Sequence, residues 1–376
     1  MSAEPRLYDL EREDLAGLLS GEPSYRVDQL WEGLYGSFKL PAEMTNLPRT
    51  LREGLEQNLG PGLTKVAESL SDDGDTVKWL WRLGDGATVE TVLMHYPAGA
   101  NSTARNTVCV STQAGCAMAC SFCATGQAGF ERHLTVGEIV EQVVRAQRHL
   151  AADPPGSRPG HGVHRRGAPD TRVSNIVFMG MGEPLANPDG TWPAIQRIHR
   201  DIGVGARHMT VSTVGLVPGI RRMAEQDLPV NLAVSLHAAH DELRDELVPI
   251  NRRWPLRELM DACAAYSRAT RRRVTFEWAL ISGVNDRYED ADRLAGLARR
   301  IGAHVNLIPL NPTPGYAVQG SSRNRVHAFA RRLEGARVNV TVRDTRGSDI
   351  DAACGQLRAG HEATAVETPR SRRRPD

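Results

Sequence analysis

The first part of the chain carries apolar residues at the spacing of a helix. In SYRVDQLWEGLYG they stand at Val27, Leu30, Leu34 and Tyr35. Positions three and four apart share one helix face, and Gly36 is a typical stop, so the pattern predicts an amphipathic helix. Residues 1 to about 72 are predicted to be helical, and residues 75 to 95 to form two strands around Gly84-Asp85-Gly86, a hairpin signal.

From about residue 105 the pattern changes to short β-branched runs that alternate with helical segments. The strand-like runs are NTVCVST, VSNIVFM, HMTVST, VNLAVSL, RVTFEWAL, AHVNLIPL and ARVNVTV. The segments between them include PGIRRMAEQ, LRELMDACAAYSRA and EDADRLAGLARRI, and TVGEIVEQVVRAQRHL begins with a capping box of Thr135 and Glu138. Strands alternating with helices predict parallel βαβ units. A full or partial (β/α) barrel fits this pattern as well as an open doubly wound sheet does.

Several polar residues fall at the C-terminal ends of these strands. They are Glu183, Ser212, Ser235 with His237, and Asn311. A barrel builds its active site at the carboxyl ends of its strands, so these side chains are predicted to meet there. The Pro/Gly/His-rich segment 153–170 is predicted to be a loop, and the C-terminal EATAVETPRSRRRPD a disordered tail.

The composition is that of an ordinary soluble globular protein. Of the 376 residues, 40% are hydrophobic and 24% are charged. The chain has no apolar run near the ~20 residues that span a bilayer, and the acidic segment MSAEPRLYDLERED is not a secretory signal. We therefore expect a cytoplasmic protein without a membrane partner.

Acidic and basic residues nearly balance, but the basic residues are almost all arginines. The net charge is +1, and only three of the 46 basic residues are lysines, namely Lys39, Lys65 and Lys78. Arginines also occur in runs, at 252–253, 271–273 and 372–374. Arginine suits phosphates and stacks on bases, which favours nucleic-acid contacts, but a GC-rich genome explains the same composition equally well.

Three of the six cysteines lie close together. Cys116, Cys120 and Cys123 have the spacing C-x3-C-x2-C. A chain of this length in a reducing compartment does not need disulfides, so the cluster indicates metal ligation or redox chemistry. One interpretation is a structural zinc site completed by Cys109 or Cys354. The other is a four-iron cluster with three cysteine ligands, whose open iron could bind a small molecule.

Together with its sequence context, this cysteine cluster resembles a known family. The spacing, with Phe122 before the last cysteine and GEP one strand later, resembles the radical S-adenosylmethionine enzymes. Further motifs resemble the RlmN/Cfr family of RNA methyltransferases: VETVLM, CVSTQAGCAMACSFCATGQ, FMGMGEPLAN, VSTVG, AVSLHA, PIN, GVND, IPLNP and RDTRGSDIDAACGQL. They extend from about residue 89 to 357, and YRVDQLWEGLY resembles the family's N-terminal domain. GEPL with RDTRG favours the RlmN branch, while Cfr-like methylation of carbon 8 stays as the alternative.

The resemblance implies a radical methylation of RNA. The product would be adenosine methylated at carbon 2, in 23S rRNA and in the anticodon loop of tRNAs. Carbon 2 is a poor nucleophile, so simple displacement from S-adenosylmethionine should fail, and a radical route removes that difficulty. The implied cofactors are one 4Fe–4S cluster and two molecules of S-adenosylmethionine per turnover. The implied electron donor is of the flavodoxin type.

The resemblance also implies a role for each matched residue. Cys116, Cys120 and Cys123 would hold the cluster, whose open iron would bind the amino and carboxyl groups of S-adenosylmethionine. The implied contacts to that cofactor are Gly182, Glu183, Ser212, Ser235, Leu236, His237 and Asn311. Cys354, in DAACGQL, would accept a methyl group, from which a 5′-deoxyadenosyl radical would then take a hydrogen.

Two further residues complete the implied mechanism. Cys109 would attack the sulfur of Cys354 and form a disulfide, and Glu90 would remove the carbon-2 proton. From sequence alone, Cys109 on an apolar strand is more often a small buried hydrophobe. Glu90 could likewise be an ordinary strand carboxylate and His237 a structural histidine. Cys263, on an apolar helical stripe, is predicted to belong to the core.

We expect an α/β fold, with a partial (β/α) TIM-like barrel of the radical S-adenosylmethionine type and a small, mainly helical N-terminal accessory domain. The expected divisions are an RNA-binding domain with the hairpin at 1–98, the core at 99–350, and a loop carrying Cys354 with a disordered basic tail at 351–376. Candidates for RNA contacts are Arg26, Arg252 and Arg253, each of which a solvated charged face explains more simply. We expect a monomer. The rival from another class is a non-catalytic, zinc-stabilised RNA-binding protein.

Overall fold

The computed structural model describes residues 6–99, 103–154, 171–310 and 319–343. Its α-helices are α1 (Arg12–Leu18), α2 (Tyr25–Tyr35), α3 (Arg49–Asn58), α4 (Ala124–Gln127), α5 (Val136–Ala152), α6 (Pro188–Arg197), α7 (Val217–Ala224), α8 (Asp241–Leu247), α9 (Leu256–Thr270), α10 (Tyr288–Ile301) and α11 (Arg323–Gly335). Its strands are β1 (Thr64–Leu70), β2 (Thr76–Arg82), β3 (Thr88–Tyr96), β4 (Arg105–Cys109), β5 (Gln113–Gly115), β6 (Phe130–His133), β7 (Asn175–Phe178), β8 (Met209–Thr213), β9 (Asn231–Ser235), β10 (Thr275–Leu280), β11 (His304–Pro309) and β12 (Val340–Val342).

One sheet of ten strands organises the described chain. Its order is β1-β2-β3-β4-β7-β8-β9-β10-β11-β12. The first four strands are antiparallel neighbours, whereas from β4 onward each strand is parallel to the next. Helices connect the parallel strands, which confirms the predicted βαβ pattern. Because β12 lies at the edge opposite β1, the parallel strands form a partial (β/α) barrel.

The N-terminal prediction is confirmed for its helices and wrong for its last residues. Helices α1, α2 and α3 occupy this region, but Thr64–Leu70 is the strand β1 and not a helix. The strand pairs with β2 from Thr64↔Arg82 to Leu70↔Val77. It is an edge strand that keeps polar side chains on its exposed positions, so it lacks the apolar alternation that would have identified it.

Strands β2 and β3 form the predicted hairpin. Leu83 N donates to Ala87 O at 2.8 Å, and Gly86 N donates to Leu83 O at 3.0 Å. Gly86 has φ +95°, a conformation that glycine adopts without steric cost. Strand β3 then pairs with β4, so the hairpin extends the sheet that carries the parallel strands.

The two faces of β2, β3 and β4 differ in character because successive side chains point to opposite sides. One face packs against α5 in the main core, with Val89, Leu93, Val108, Val140 and Val144 among its members. The opposite face, called the inner face below, carries Lys78, Glu90, Val92, Met94 and Cys109. Charged and thiol groups thus lie on the side of the sheet away from the helices.

Helix α5 begins at the predicted capping box and is tied to the sheet by one amide. Thr135 Oγ1 accepts from Glu138 N at 3.1 Å, and Glu138 Oε2 accepts from Thr135 N at 3.0 Å. Further along, the buried side chain of Gln142 accepts from Ser111 N (2.8 Å) and Thr91 Oγ1 (2.9 Å), and donates to Ser111 O (3.0 Å). This amide joins the helix to β3 and to the segment after β4, where the cysteine loop starts.

Among the described residues, no helix is both long and apolar enough to cross a membrane.

Replacing Gln142 with leucine is expected to lower the free energy of unfolding by about 3 kcal/mol, because buried groups of Ser111 and Thr91 lose their partners. Urea denaturation measures the change. Q226L is the control, since Gln226 is exposed and only donates to Arg222 O within its own turn. Equal stability of the two variants would contradict the assigned role of Gln142.

Candidate active site

The three clustered cysteines lie in the loop between β5 and α4. Cys116 and Cys120 are buried and Cys123 is half-buried. Backbone hydrogen bonds fix the loop at both ends: Cys116 N donates to Gly129 O at 2.7 Å, and Cys123 N donates to Cys120 O at 3.1 Å. Ser121 N of the loop donates to Leu247 O of α8 at 3.1 Å, and Leu247 belongs to the same apolar cluster as Cys120. The loop is therefore held by α8 as well as by its own turns.

Burial controls the chemistry of these thiols. It raises the pKa of Cys116 to about 12 and raises that of Cys120 still further. The neighbouring Cys123 adds to both shifts. Among the described residues, however, no three His, Cys, Asp or Glu side chains converge on the position of a single metal ion. A multi-iron cluster fits this arrangement, because each cysteine then binds a different iron.

The segment after β7 places a carboxylate next to this loop. Gly182 has φ +103°, and a Cβ there would lie 2.5 Å from Cβ of Gln113, so only glycine fits. Glu183 is buried, and its carboxylate accepts from Leu185 N at 3.0 Å and from Val214 N at 2.8 Å. Burial raises the pKa of Glu183 to about 7. The carboxylate thus joins the ends of β7 and β8 and is shielded from solvent.

The end of β9 carries a histidine in an unusual conformation. His237 has φ 56°, and its Nδ1 accepts from Ala279 N at 3.0 Å, so the neutral ring carries its proton on Nε2. Asn285 Nδ2 donates to His237 O at 2.8 Å. The ring lies edge-on to Phe122 of the cysteine loop, with 4.7 Å between centroids. Burial, and then the charge of Arg244, lowers the pKa of His237 to about 3.

Arg244 of α8 connects these strand ends and was not predicted from sequence. Its side chain is fully buried and donates to Val214 O (2.6 Å), Leu236 O (3.1 Å) and Asn251 Oδ1 (2.9 Å). Val214 follows β8 and Leu236 follows β9, so the guanidinium joins both ends to the helix that supports the cysteine loop. Gln113 was missed in the same way; it accepts from Glu183 N at 2.8 Å.

Two of the residues assigned to catalysis lie together on the inner face. Cys109 is buried and pairs across the ladder with Val92 of β3. Glu90 lies two residues before Val92 on the same face and forms an ion pair with Lys78, with 3.1 Å between Nζ and Oε2. The hydroxyl of Ser111, just after Cys109, donates to Glu90 O at 2.6 Å. The thiol and the carboxylate are therefore neighbours near the start of the segment that leads to the cysteine loop.

Comparison with known proteins gives the same assignment throughout the chain. Residues 165–295 match the family model of the radical SAM superfamily. The chain is 49% identical over 352 residues to the probable dual-specificity RNA methyltransferase RlmN of Cutibacterium acnes, covering 90% of this chain and 84% of that protein. It is 50% identical over 372 residues to the protein of that name in Parafrankia sp., covering 95% and 93%. A radical SAM methyltransferase from Sphaerobacter thermophilus, known from its crystal structure, matches with TM-score 0.84 and 46% identity, covering 94% and 98%.

The chain belongs to the RlmN family of dual-specificity RNA methyltransferases. The recognition made from the sequence motifs is confirmed, and so is the radical S-adenosylmethionine fold class. Membership of that superfamily implies an iron–sulfur cluster and S-adenosylmethionine.

The residues of this RlmN-family site fit both groups. The three cysteines offer a sulfur-only donor set, and cysteine thiolates are the usual ligands of iron–sulfur clusters. The Glu183 carboxylate is held by neutral backbone donors, and a cofactor ammonium group would supply the positive charge that its burial calls for.

The structure brings most of the predicted cofactor contacts of the RlmN-family site together at the carboxyl ends of the parallel strands. Gly182, Glu183, Ser212, Ser235, Leu236 and His237 all lie at or just after the carboxyl ends of β7, β8 and β9. Asn311 and Cys354 lie outside the described residues. Cys263 is a buried core residue of α9, as predicted. The roles of all these side chains in binding stay predictions.

The arginines suggested for RNA contact differ in their surroundings. Arg26 donates to Gln29 Oε1 at 2.6 Å and to Asn46 O at 2.8 Å, so it is engaged within its own region. Arg252 and Arg253 are exposed, and the guanidinium of Arg253 lies 4.9 Å from the ring centroid of Trp254. An exposed, stacked arginine suits contacts to bases and phosphates better than an engaged one.

Changing His237 to asparagine is expected to reduce the acid sensitivity of the RlmN-family fold. The pKa of His237 is lowered by folding, so the unfolded chain binds the proton more tightly, and stability is lost as pH falls from about 6.5 toward 3. Between about pH 7.5 and pH 5, without S-adenosylmethionine, H237N should lose about 2 kcal/mol less than the unaltered protein.

Asparagine suits this comparison because it tolerates positive φ and offers an oxygen to Ala279 N. The other titratable groups are common to the two proteins, so their contributions to the change in stability cancel. Urea denaturation at both pH values therefore measures the contribution of His237 alone. The same loss in both proteins would show that His237 is not held neutral.

Proposed function

We propose that the protein methylates carbon 2 of adenosine in 23S rRNA and in the anticodon loop of tRNAs. Relatives named dual-specificity RNA methyltransferases support the class of substrate. The observation that carries the chemistry is that a buried thiol, Cys109, and a buried carboxylate, Glu90, lie on the same inner face, beside the segment that becomes the cysteine loop.

Methylation at this carbon demands a covalent route. Carbon 2 of adenine is electron-poor, so it does not attack a sulfonium methyl group directly. When bound, the cluster and S-adenosylmethionine supply a methyl group and the means to remove a hydrogen atom from it. Cys116, Cys120 and Cys123 would hold the cluster, and Glu183 would bind the ammonium group of the cofactor.

The cysteines of this chain would carry the methyl group and release the product. Cys354 would receive the methyl group on its sulfur and become joined to carbon 2 through it. Cys109 would then attack the sulfur of Cys354: the new S–S bond forms, the electron pair of the broken S–C bond passes to the methylene carbon, and that carbon takes up a proton to complete the methyl group. Burial of Cys109 beside Val92 and Val177 keeps water away from this thiol.

Glu90 would take the proton from carbon 2 before the product leaves. The adduct would give up its unpaired electron to the cluster. The Glu90 carboxylate would then accept the proton, and the electron pair of the C–H bond would stay on the ring. Because Glu90 sits two residues from the partner of Cys109, one bound nucleotide could reach both groups.

The remaining features of the proposal concern partners and organisation. We propose that residues 1–98 contact RNA, that 99–350 form the catalytic core, and that 351–376 carry Cys354 and a basic tail. A flavodoxin-type protein would supply the electron, and the enzyme would work as a monomer in the cytoplasm. Exposed Arg252 and Arg253 are the candidates for RNA contact near the site.

Changing Cys354 to alanine is expected to abolish methylation of RNA, because the methyl group then has no sulfur to occupy. Mass spectrometry of nucleosides from digested rRNA and tRNA measures the product, which should be 2-methyladenosine from the unaltered enzyme. C263A is the matched control, since Cys263 is a core thiol outside the site, and it should keep most of the activity.

Undiminished methylation by C354A would rule out the relay through a methylated cysteine. An 8-methyladenosine product from the unaltered enzyme would assign the Cfr-like reaction instead. A protein that contains zinc and modifies neither RNA would favour the non-catalytic RNA-binding alternative.

A further inference from the structure

Lys78 is a buried charge in a place where stability does not require one. Its side chain is fully buried and its partner Glu90 is 2% exposed, with 3.1 Å between Nζ and Oε2. A buried ion pair loses hydration on both sides, and well-packed hydrophobic residues often stabilise a fold as well or better. The pair therefore points to a role other than stability.

The choice of lysine is itself informative in this chain. Only Lys39, Lys65 and Lys78 are lysines among 46 basic residues, and the other two are exposed. Where the chain needs an exposed cation it almost always uses arginine, yet this interior position has a lysine. A lysine presents a compact point charge with three donors, whereas the planar guanidinium needs more room and more acceptors.

Lys78 lies on the same face of the sheet as Cys109 and Glu90, the two residues assigned to the chemistry. Lys78 pairs with Val92 across the ladder, and Val92 pairs with Cys109, so the three residues form one row on the inner face. Two strand spacings separate Lys78 from Cys109, which is about 10 Å. Glu90 lies two residues along β3 from this row, and the lysine reaches diagonally to its carboxylate.

We propose that Lys78 is a positioning residue for the RNA methylation proposed above. Its ammonium compensates the charge of the Glu90 carboxylate in a site without water and orients that carboxylate toward the carbon-2 hydrogen. When the C–H bond breaks, the proton passes to Glu90, the electron pair stays on the ring, and Lys78 keeps its three protons. The inference rests on the assignment of Glu90 as the base.

The experiment distinguishes removal of the carbon-2 proton from the earlier methylation of Cys354. Three variants are compared with the unaltered enzyme: K78M, which removes the charge at nearly the same length, E90Q, and the double variant K78M/E90Q. Mass spectrometry of the intact protein measures methylation of Cys354, nucleoside analysis measures methylated RNA, and gel electrophoresis measures the covalent protein–RNA adduct.

In K78M, methylation of Cys354 should stay within about twofold of that in the unaltered enzyme. RNA methylation should fall by about tenfold or more, because a general base contributes roughly 10²–10⁴-fold to the rate and K78M should lose part of this contribution. The adduct should accumulate, because its proton leaves slowly. E90Q should lose more, and K78M/E90Q should equal E90Q, since a residue that acts only through Glu90 has no effect once Glu90 is gone.

A matched control removes a basic side chain from an exposed ion pair. Since residues 1–98, including the lysine Lys65, are proposed to contact RNA, the control is taken from the core instead: Arg332 of α11 pairs with Asp292 at 2.7 Å, and R332M should keep normal RNA methylation. If K78M does not fold, the double variant, which leaves no buried carboxylate unpaired, is compared with E90Q alone. Equality of those two proteins supports the proposal, and a further loss in the double variant overturns it.

The outcomes distinguish this inference from the proposed function. Normal RNA methylation by E90Q would remove Glu90 from the mechanism and the proposal with it. An impaired E90Q with a normal K78M would overturn the role of Lys78 alone. Equal losses of Cys354 methylation and RNA methylation in K78M would show that the lysine only supports the fold.

Discussion

The carboxylate of Glu183 is buried, and two backbone N–H groups from neighbouring strand ends hold it in place. A buried charged or polar group must find partners, so the segments that supply them cannot move independently. One of those donors belongs to Val214, whose carbonyl in turn accepts from Arg244. Arg244 also binds the carbonyl of Leu236, so a continuous path of hydrogen bonds connects the ends of β7, β8 and β9.

The cysteine loop depends on the same path. Helix α8 supplies Arg244 to the strand ends, and its Leu247 carbonyl accepts from Ser121 N of the loop. The loop and the proposed cofactor contacts are thus held by one short helix. Preorganisation of this kind suits a site that must bind a cluster and a charged cofactor without rearranging. Cys109 and the Lys78–Glu90 pair lie apart from this path, on the inner face near β3 and β4, and we propose a different task for them.

Much of this arrangement could be predicted from sequence, because β-branched runs and helical spacing depend on local chemistry. The parallel strands, the hairpin and the Thr135 capping box were all predicted correctly. β1 was not, since Thr64–Leu70 is an edge strand with polar exposed positions. Lys78, Gln113 and Arg244 were missed as site residues because a sequence shows a charge or an amide but not its burial. Arg244 stands in the charged run DELRDEL, where a solvated face is the natural expectation.

The central claim is that Cys116, Cys120 and Cys123 hold an iron–sulfur cluster with one iron open to S-adenosylmethionine. Electron paramagnetic resonance of the reduced, oxygen-free protein tests this most directly, with iron and sulfide measured on the same sample. The account predicts about four irons per chain and a cluster signal that changes when S-adenosylmethionine is added. A signal that does not change on that addition, from a cluster whose four irons all have side-chain ligands, would contradict it.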